Sequence, residues 1–176
     1  MKKSHISRRS FIYRASGLVL TLWAGKGLAQ AKLGGKLEIN FEIAIPSGGR
    51  NRAPYVAVWV ENAQGKPVRE LALWFDRSGR GQRWLNELRR WYRNDDMDPT
   101  VTGSTRMSGV YTLSWNCKDD WGNLMPQGDY YVCVEMAREH GPYELFREKV
   151  ALGPADLRKT YAVGSELKEV TLTYGK

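Results

Sequence analysis

The chain has 176 residues, with 27 Lys and Arg against 19 Asp and Glu for a formal net charge of +8. Residues 1–31 hold six of the basic residues and no acidic one, which leaves 21 basic and 19 acidic groups, net +2, and excludes the basic surface of a nucleic-acid binder. No later apolar run approaches the roughly 20 residues of a membrane-spanning helix, and the remaining length suits one domain with one core.

The N-terminus reads as an export signal. Lys2, Lys3, Arg8 and Arg9 make a basic segment, Gly17-Leu18-Val19-Leu20-Thr21-Leu22-Trp23-Ala24 an apolar one, and Ala29-Gln30-Ala31 a small-x-small cleavage site. Ser7-Arg8-Arg9-Ser10-Phe11-Ile12 resembles a twin-arginine signal. That resemblance implies passage of the folded chain through the twin-arginine translocase, cleavage at Ala31, and a mature domain of residues 32–176 in the periplasm.

The mature chain patterns mainly as strands. Leu37, Ile39, Phe41, Ile43 and Ile45 alternate with mostly polar residues and stop near Pro46-Ser47-Gly48-Gly49. Tyr55 to Val60 is a near-continuous apolar run suited to mid-sheet. The turn Glu61-Asn62-Ala63-Gln64-Gly65-Lys66-Pro67 then returns the chain as Val68 to Phe75. From Gln82 to Arg93 the period changes: Trp84, Leu85, Leu88, Trp91 and Tyr92 share one face of a helix, with Arg83, Arg89, Arg90 and Arg93 opposite. Residues 94–108 read as a loop. Strands are expected again at Gly109–Trp115, Asp129–Ala137, Tyr143–Leu152 and Leu167–Tyr174. Seven strands and one inserted short helix predict a mainly-β chain, an immunoglobulin-like antiparallel β-sandwich. Tyr111 to Tyr131 is similar to the hairpin of the flagellar-hook-cap immunoglobulin-like domains. Asn116-Cys117 stands where that pattern has Asp-Gly, and Gly122 and Gly128 supply positive φ.

Cys117 and Cys133 are the only thiols, and in an oxidising compartment they form either a disulfide or two separately buried thiols. His140 is the only histidine beyond the leader. Two cysteines and one histidine make no recognisable metal or haem site.

The loop Asp98-Pro99-Thr100-Val101-Thr102-Gly103-Ser104-Thr105-Arg106 carries the strongest chemical signal. It resembles the Asp-x-x-(Ser/Thr)-Gly-Ala-Thr sequence on which flavin transferases esterify FMN to a threonine hydroxyl outside the cytoplasm. The resemblance implies Thr105 as acceptor, presented by Thr102, Gly103 and Ser104, with Ser104 in place of Ala and Asp98 one residue further upstream. Arg106 and the helix arginines would meet the phosphate charge, and Trp84, Trp91 or Trp115 the ring. A second constellation, Glu135, Arg138, Glu139 and His140, could serve acid–base or weak metal chemistry; a salt-bridged strand end is the plainer reading. No nucleophile elbow, P-loop or dinucleotide fingerprint is present.

Together the leader, the Thr-Gly-Ser-Thr loop, the Trp-Asn hairpin and the Arg-Glu-His-Gly run resemble an uncharacterised periplasmic family, domain of unknown function 2271. Its members are often encoded beside PepSY-type membrane proteins and flavin transferases. The resemblance implies an accessory of a membrane redox system carrying FMN on Thr105. A cofactor-free binding or assembly module is the alternative.

Overall fold

The computed structural model describes residues 30–47, 52–94, 102–139 and 141–175. Arg8, Arg9 and the rest of the leader's expected motif, Asp98 and His140 lie outside the described residues. The chain divides between Gln30 and Ala31, and every described strand lies in the Ala31–Lys176 unit.

Among the described residues nine strands build two facing sheets: β1 Lys36–Ile43, β2 Tyr55–Asn62, β3 Pro67–Trp74, β4 Thr102–Gly103, β5 Gly109–Trp115, β6 Gly128–Ala137, β7 Tyr143–Leu152, β8 Leu157–Ala162 and β9 Leu167–Gly175. One sheet runs β5-β1-β9-β8, the other β4-β3-β2-β6-β7. All pairs are antiparallel except β3 with β4. The mainly-β sandwich expected from the periodicity is what forms. Two strands escaped the pattern. β8 exposes Arg158, Lys159 and Thr160 and shows little alternation, as charged edge strands do. β4 has only two residues.

The core between the sheets is built mainly from apolar side chains. Ile39, Phe41 and Leu172 from one sheet meet Val58, Trp74 and Met136 from the other. Trp115 is fully buried there, with its indole N–H donated to the Lys118 carbonyl at 2.7 Å. β2 is the central strand of the larger sheet, and both of its faces are covered. Val56, Val58 and Val60 enter the inter-sheet core, whereas Ala57 and Trp59 enter a second cluster outside. This double burial explains the unbroken apolar run in its sequence.

The second cluster is closed by the segment connecting β3 to β4. The expected helix from Gln82 to Arg93 is corrected here. A 3-10 helix spans Gly81–Glu87 only, and the chain continues through turns to Arg93. The reason lies in the hydrogen bonds. An α-helix would pair the Arg90 and Trp91 amides with carbonyls four residues back. They donate instead to the Glu135 carboxylate, at 2.8 and 2.7 Å. Leu88 and Trp91 are buried against the sheet while Trp84 and Tyr92 remain exposed, so the predicted single apolar face is divided.

Candidate functional site

Three buried glutamates anchor this connecting segment, one from each of three adjacent strands. Glu135 on β6 takes its two backbone amides. Glu70 on β3 accepts the Trp91 indole N–H at 2.8 Å. Glu61 on β2 accepts Arg90 at 2.9 Å, Arg147 at 2.8 Å and the Trp59 indole N–H at 3.0 Å. A β-bulge brings Glu70 into this set. Val58 pairs with Ala72, but Trp59 pairs with Glu70, so Leu71 is the extra residue. Without it Glu70 would share the inward face of Ala72. Burial pushes the Glu61 carboxyl up, but the indole and the two guanidinium groups outweigh it and hold the acid below its ordinary value. Arg90, expected opposite the apolar face of a helix, is thus held by Glu61.

The anchored segment forms one wall of a cleft of about 540 Å³. Arg80, Gly81, Arg83, Trp84 and Glu87 line that wall. Arg52, Tyr55 and Asp76 come from the flanks of β2 and β3, Arg138 and Glu139 from the end of β6, and Thr105 from the loop after β4. The Tyr55 hydroxyl donates to the Gly81 carbonyl at 2.9 Å. Gly81 is required where it stands, because a Cβ there would lie 2.0 Å from the Asp76 carbonyl oxygen. The Ser78 amide and hydroxyl both bond the Asp76 carboxylate and keep its pKa below the ordinary value.

The Thr105 loop is held on both sides. Thr102–Gly103 pairs with Leu73–Trp74, and the Phe75 amide donates to the Gly103 carbonyl at 3.1 Å. A Cβ at Gly103 would sit 3.1 Å from the Trp74 ring, so a glycine lets the loop lie against it. The Arg106 guanidinium stacks 4.5 Å above Trp74 and 5.5 Å from the Tyr111 ring. The Tyr111 hydroxyl donates to the Met107 carbonyl at 2.7 Å, and the Ile45 amide to the Ser108 hydroxyl at 2.9 Å. Between these fixed points Thr105 is half-buried on the cleft wall and Ser104 is exposed.

Tested against a flavin mononucleotide, these residues fit. The cleft volume falls within the roughly 300–1,000 Å³ of small-molecule sites, a threonine hydroxyl borders it, and four arginines surround it. Of the three tryptophans proposed for the ring, Trp84 alone lines the cleft and is 40% exposed. Trp91 and Trp115 are buried in the two cores. Ser104, where the flavin-loop sequence has Ala, is exposed.

The second constellation does not converge. Glu135 is buried beneath the connecting segment. Arg138 forms a two-point ion pair with Glu166, at 2.9 and 2.5 Å. Glu139 pairs with Arg52. Three separate structural roles replace the acid–base cluster, and His140 lies outside the described residues. Among the described residues no three His, Cys, Asp or Glu side chains are disposed to hold a metal ion.

The cysteines are free thiols, which corrects the disulfide alternative. Cys117 lies in the inter-sheet core and Cys133 in the outer cluster, so the larger sheet's two faces separate them. Burial raises both, Cys117 to about 11. Cys117 also has φ of 58°, the left-handed backbone that the Gly of the hook-cap pattern would adopt at that position.

The sequence reading missed Arg52, Tyr55, Asp76, Arg80, Gly81 and Glu87. They come from separate segments and carry no shared spacing; only the arginine density of residues 77–93 hinted at one wall.

A family model described as "Predicted periplasmic protein (DUF2271)" matches residues 36–169, from the start of β1 into β9. No curated protein and no solved structure matches. Among the described residues no helix is long and apolar enough to cross a membrane.

Proposed function

For a chain that belongs to the predicted periplasmic protein family DUF2271, we propose a role as a flavin carrier serving a membrane-associated redox system, with FMN held covalently on Thr105. The observation that carries this reading is the position of Thr105. It stands between a parallel strand pairing and a stacked arginine, on the wall of an arginine-rich cleft with an exposed tryptophan. A flavin transferase would join the Thr105 Oγ to the FMN phosphorus of FAD. The pyrophosphate bond breaks, AMP leaves, and the hydroxyl proton passes to a base of the transferase. Bound FMN supplies one- and two-electron chemistry. The chain's own residues orient and shield it. Gly103 and Arg106 fix the acceptor backbone, Arg80 and Arg83 offer positive charge to the phosphodiester, and Trp84 offers an apolar wall to the ring.

The test is incubation of the purified domain with a flavin transferase and FAD, followed by intact-mass and visible spectra after denaturation. The flavin stays attached in the wild type and is absent from Thr105→Ala. A wild-type mass equal to the bare polypeptide ends the reading.

Trp121 favours a second reading, a cofactor-free binding module. It is 84% exposed in the connection from β5 to β6, two strands that lie in different sheets and so do not form the expected hairpin. Asp119 stiffens that connection by accepting the Trp121 amide at 3.0 Å and the Asn123 amide at 2.7 Å. Protein recovered from its native periplasm with an unmodified mass, and a membrane association lost in Trp121→Ala, would favour that module.

A further inference from the structure

The partners of the four cleft arginines divide them into two pairs. Arg52 is ion-paired to Glu139, and Arg138 to Glu166. Arg80 and Arg83 pair with no carboxylate among the described residues, although Asp76 and Glu87 also line the cleft. The Asp76 carboxylate is occupied by the amide and hydroxyl of Ser78.

The backbone holds the second pair in register. Arg80 precedes the 3-10 helix Gly81–Glu87 with helical angles of its own, φ −86° and ψ −28°, and Arg83 follows three residues later. At three residues per turn, side chains at i and i+3 stand one above the other, about 6 Å apart along the axis. The Arg83 Nε donates to the Arg80 carbonyl at 3.0 Å, which fixes that guanidinium and leaves its terminal N–H groups to meet an oxygen ligand. Like charges held in register oppose folding, so stability does not account for the pair. An anion held by both does. Trp84, exposed on the same wall, adds a flat apolar surface beside them.

We propose that Arg80 and Arg83 form a phosphate clamp that, together with Trp84, gives the cleft affinity for free FMN, without any bond to Thr105. The flavin reading above supplies the identity of the ring, and this inference rests on it for that alone. Guanidinium groups hold phosphate oxygens by charge-assisted, bidentate contacts, and an indole stacks on an aromatic ring. The affinity required is modest. A short tether gives an effective concentration of about 1 mM, so a dissociation constant of about 100 µM for the free ligand keeps a tethered ring seated about nine-tenths of the time. The bond to Thr105 then prevents loss of the flavin, while the clamp sets where it sits.

The experiment is equilibrium dialysis of free FMN and of riboflavin, which lacks the phosphate, against Thr105→Ala in phosphate-free buffer. FMN should bind at least about tenfold tighter than riboflavin, the gain expected of hydrogen bonds to charged groups. Adding Arg80→Gln/Arg83→Gln should abolish that difference with the thermal midpoint unchanged, and Arg158→Gln on the distant β8 edge should preserve it. Trp84→Ala should weaken both ligands alike. Inorganic phosphate in excess should displace FMN and leave riboflavin bound. Equal binding of the two ligands, full FMN affinity in the double-arginine variant, or no FMN binding up to about 1 mM overturns the clamp. The covalent test is separate. A wild type that loads while Thr105→Ala binds no free FMN overturns the clamp and keeps the flavin reading. A wild type that stays bare while Thr105→Ala binds FMN through the arginines supports the clamp and ends the covalent reading.

Discussion

The two faces of the larger sheet are buried by different means. Toward the smaller sheet, side chains such as Val58, Trp74 and Met136 meet other apolar groups. On the outer face, Leu88 and Trp91 cover Ala57, Trp59, Leu73 and Cys133, but Glu61, Glu70 and Glu135 hold the covering segment in place. Dense apolar packing is non-directional and stabilises the whole fold. Buried carboxylates are directional: each accepts particular N–H groups and so specifies one course for a segment too short and irregular to specify itself. The glutamates hold the segment at Arg90 and Trp91, directly after the residues of the cleft wall.

Removing an anchor from each face separates the two. Trp115→Ala empties part of the inter-sheet core and should cost about 3–5 kcal/mol, lowering the thermal midpoint for the entire domain. Glu135→Ala strands two amides and should cost about 1–3 kcal/mol. Its effect should be local: hydrogen exchange quickens at Arg90 and Trp91 but not at Val58. Uniform acceleration across both faces would refute the distinction.

Acid should act on the carboxylate-anchored side first. The Glu61 carboxyl lies below its ordinary value of 4.5 when folded. A depressed folded value means that the stabilisation is fully present above the unfolded value and fades as pH falls through the folded one. Denaturation midpoints measured from neutral pH to below 4.5 should fall in the wild type and fall less in Glu61→Gln, which starts lower. Parallel curves would remove Glu61 from the account.

The smallest effect concerns the thiols that the sheet separates. Reducing agent should leave the thermal midpoint unchanged, since no bond joins Cys117 to Cys133. Cys117→Gly should change stability by no more than about 1 kcal/mol, because relief of the left-handed backbone offsets the lost buried side chain.

Seven of the strands were legible because their alternation or continuous apolarity records burial directly, as in Ile39-Phe41-Ile43 and Tyr55–Val60. β8 was hidden by its charged edge. The segment after β3 misled because its apolar spacing fits a helix, whereas its amides bind Glu135, a residue 44 positions beyond Trp91. For the candidate site, Thr105 and its glycine were readable as a local motif. Arg52, Asp76 and Arg80 were not, because sequence spacing says nothing about which loop ends meet at one end of a sandwich.

What the sequence by itself determined is the class of fold and most of its strands, since hydrophobic periodicity and turn chemistry act between near neighbours. The tertiary structure alone decided the course of the segment over the outer face, the separation of the cysteines and the assembly of the cleft. Each depends on a pairing register, a bulge at Leu71 or a buried carboxylate, and these act between residues that only folding brings into contact.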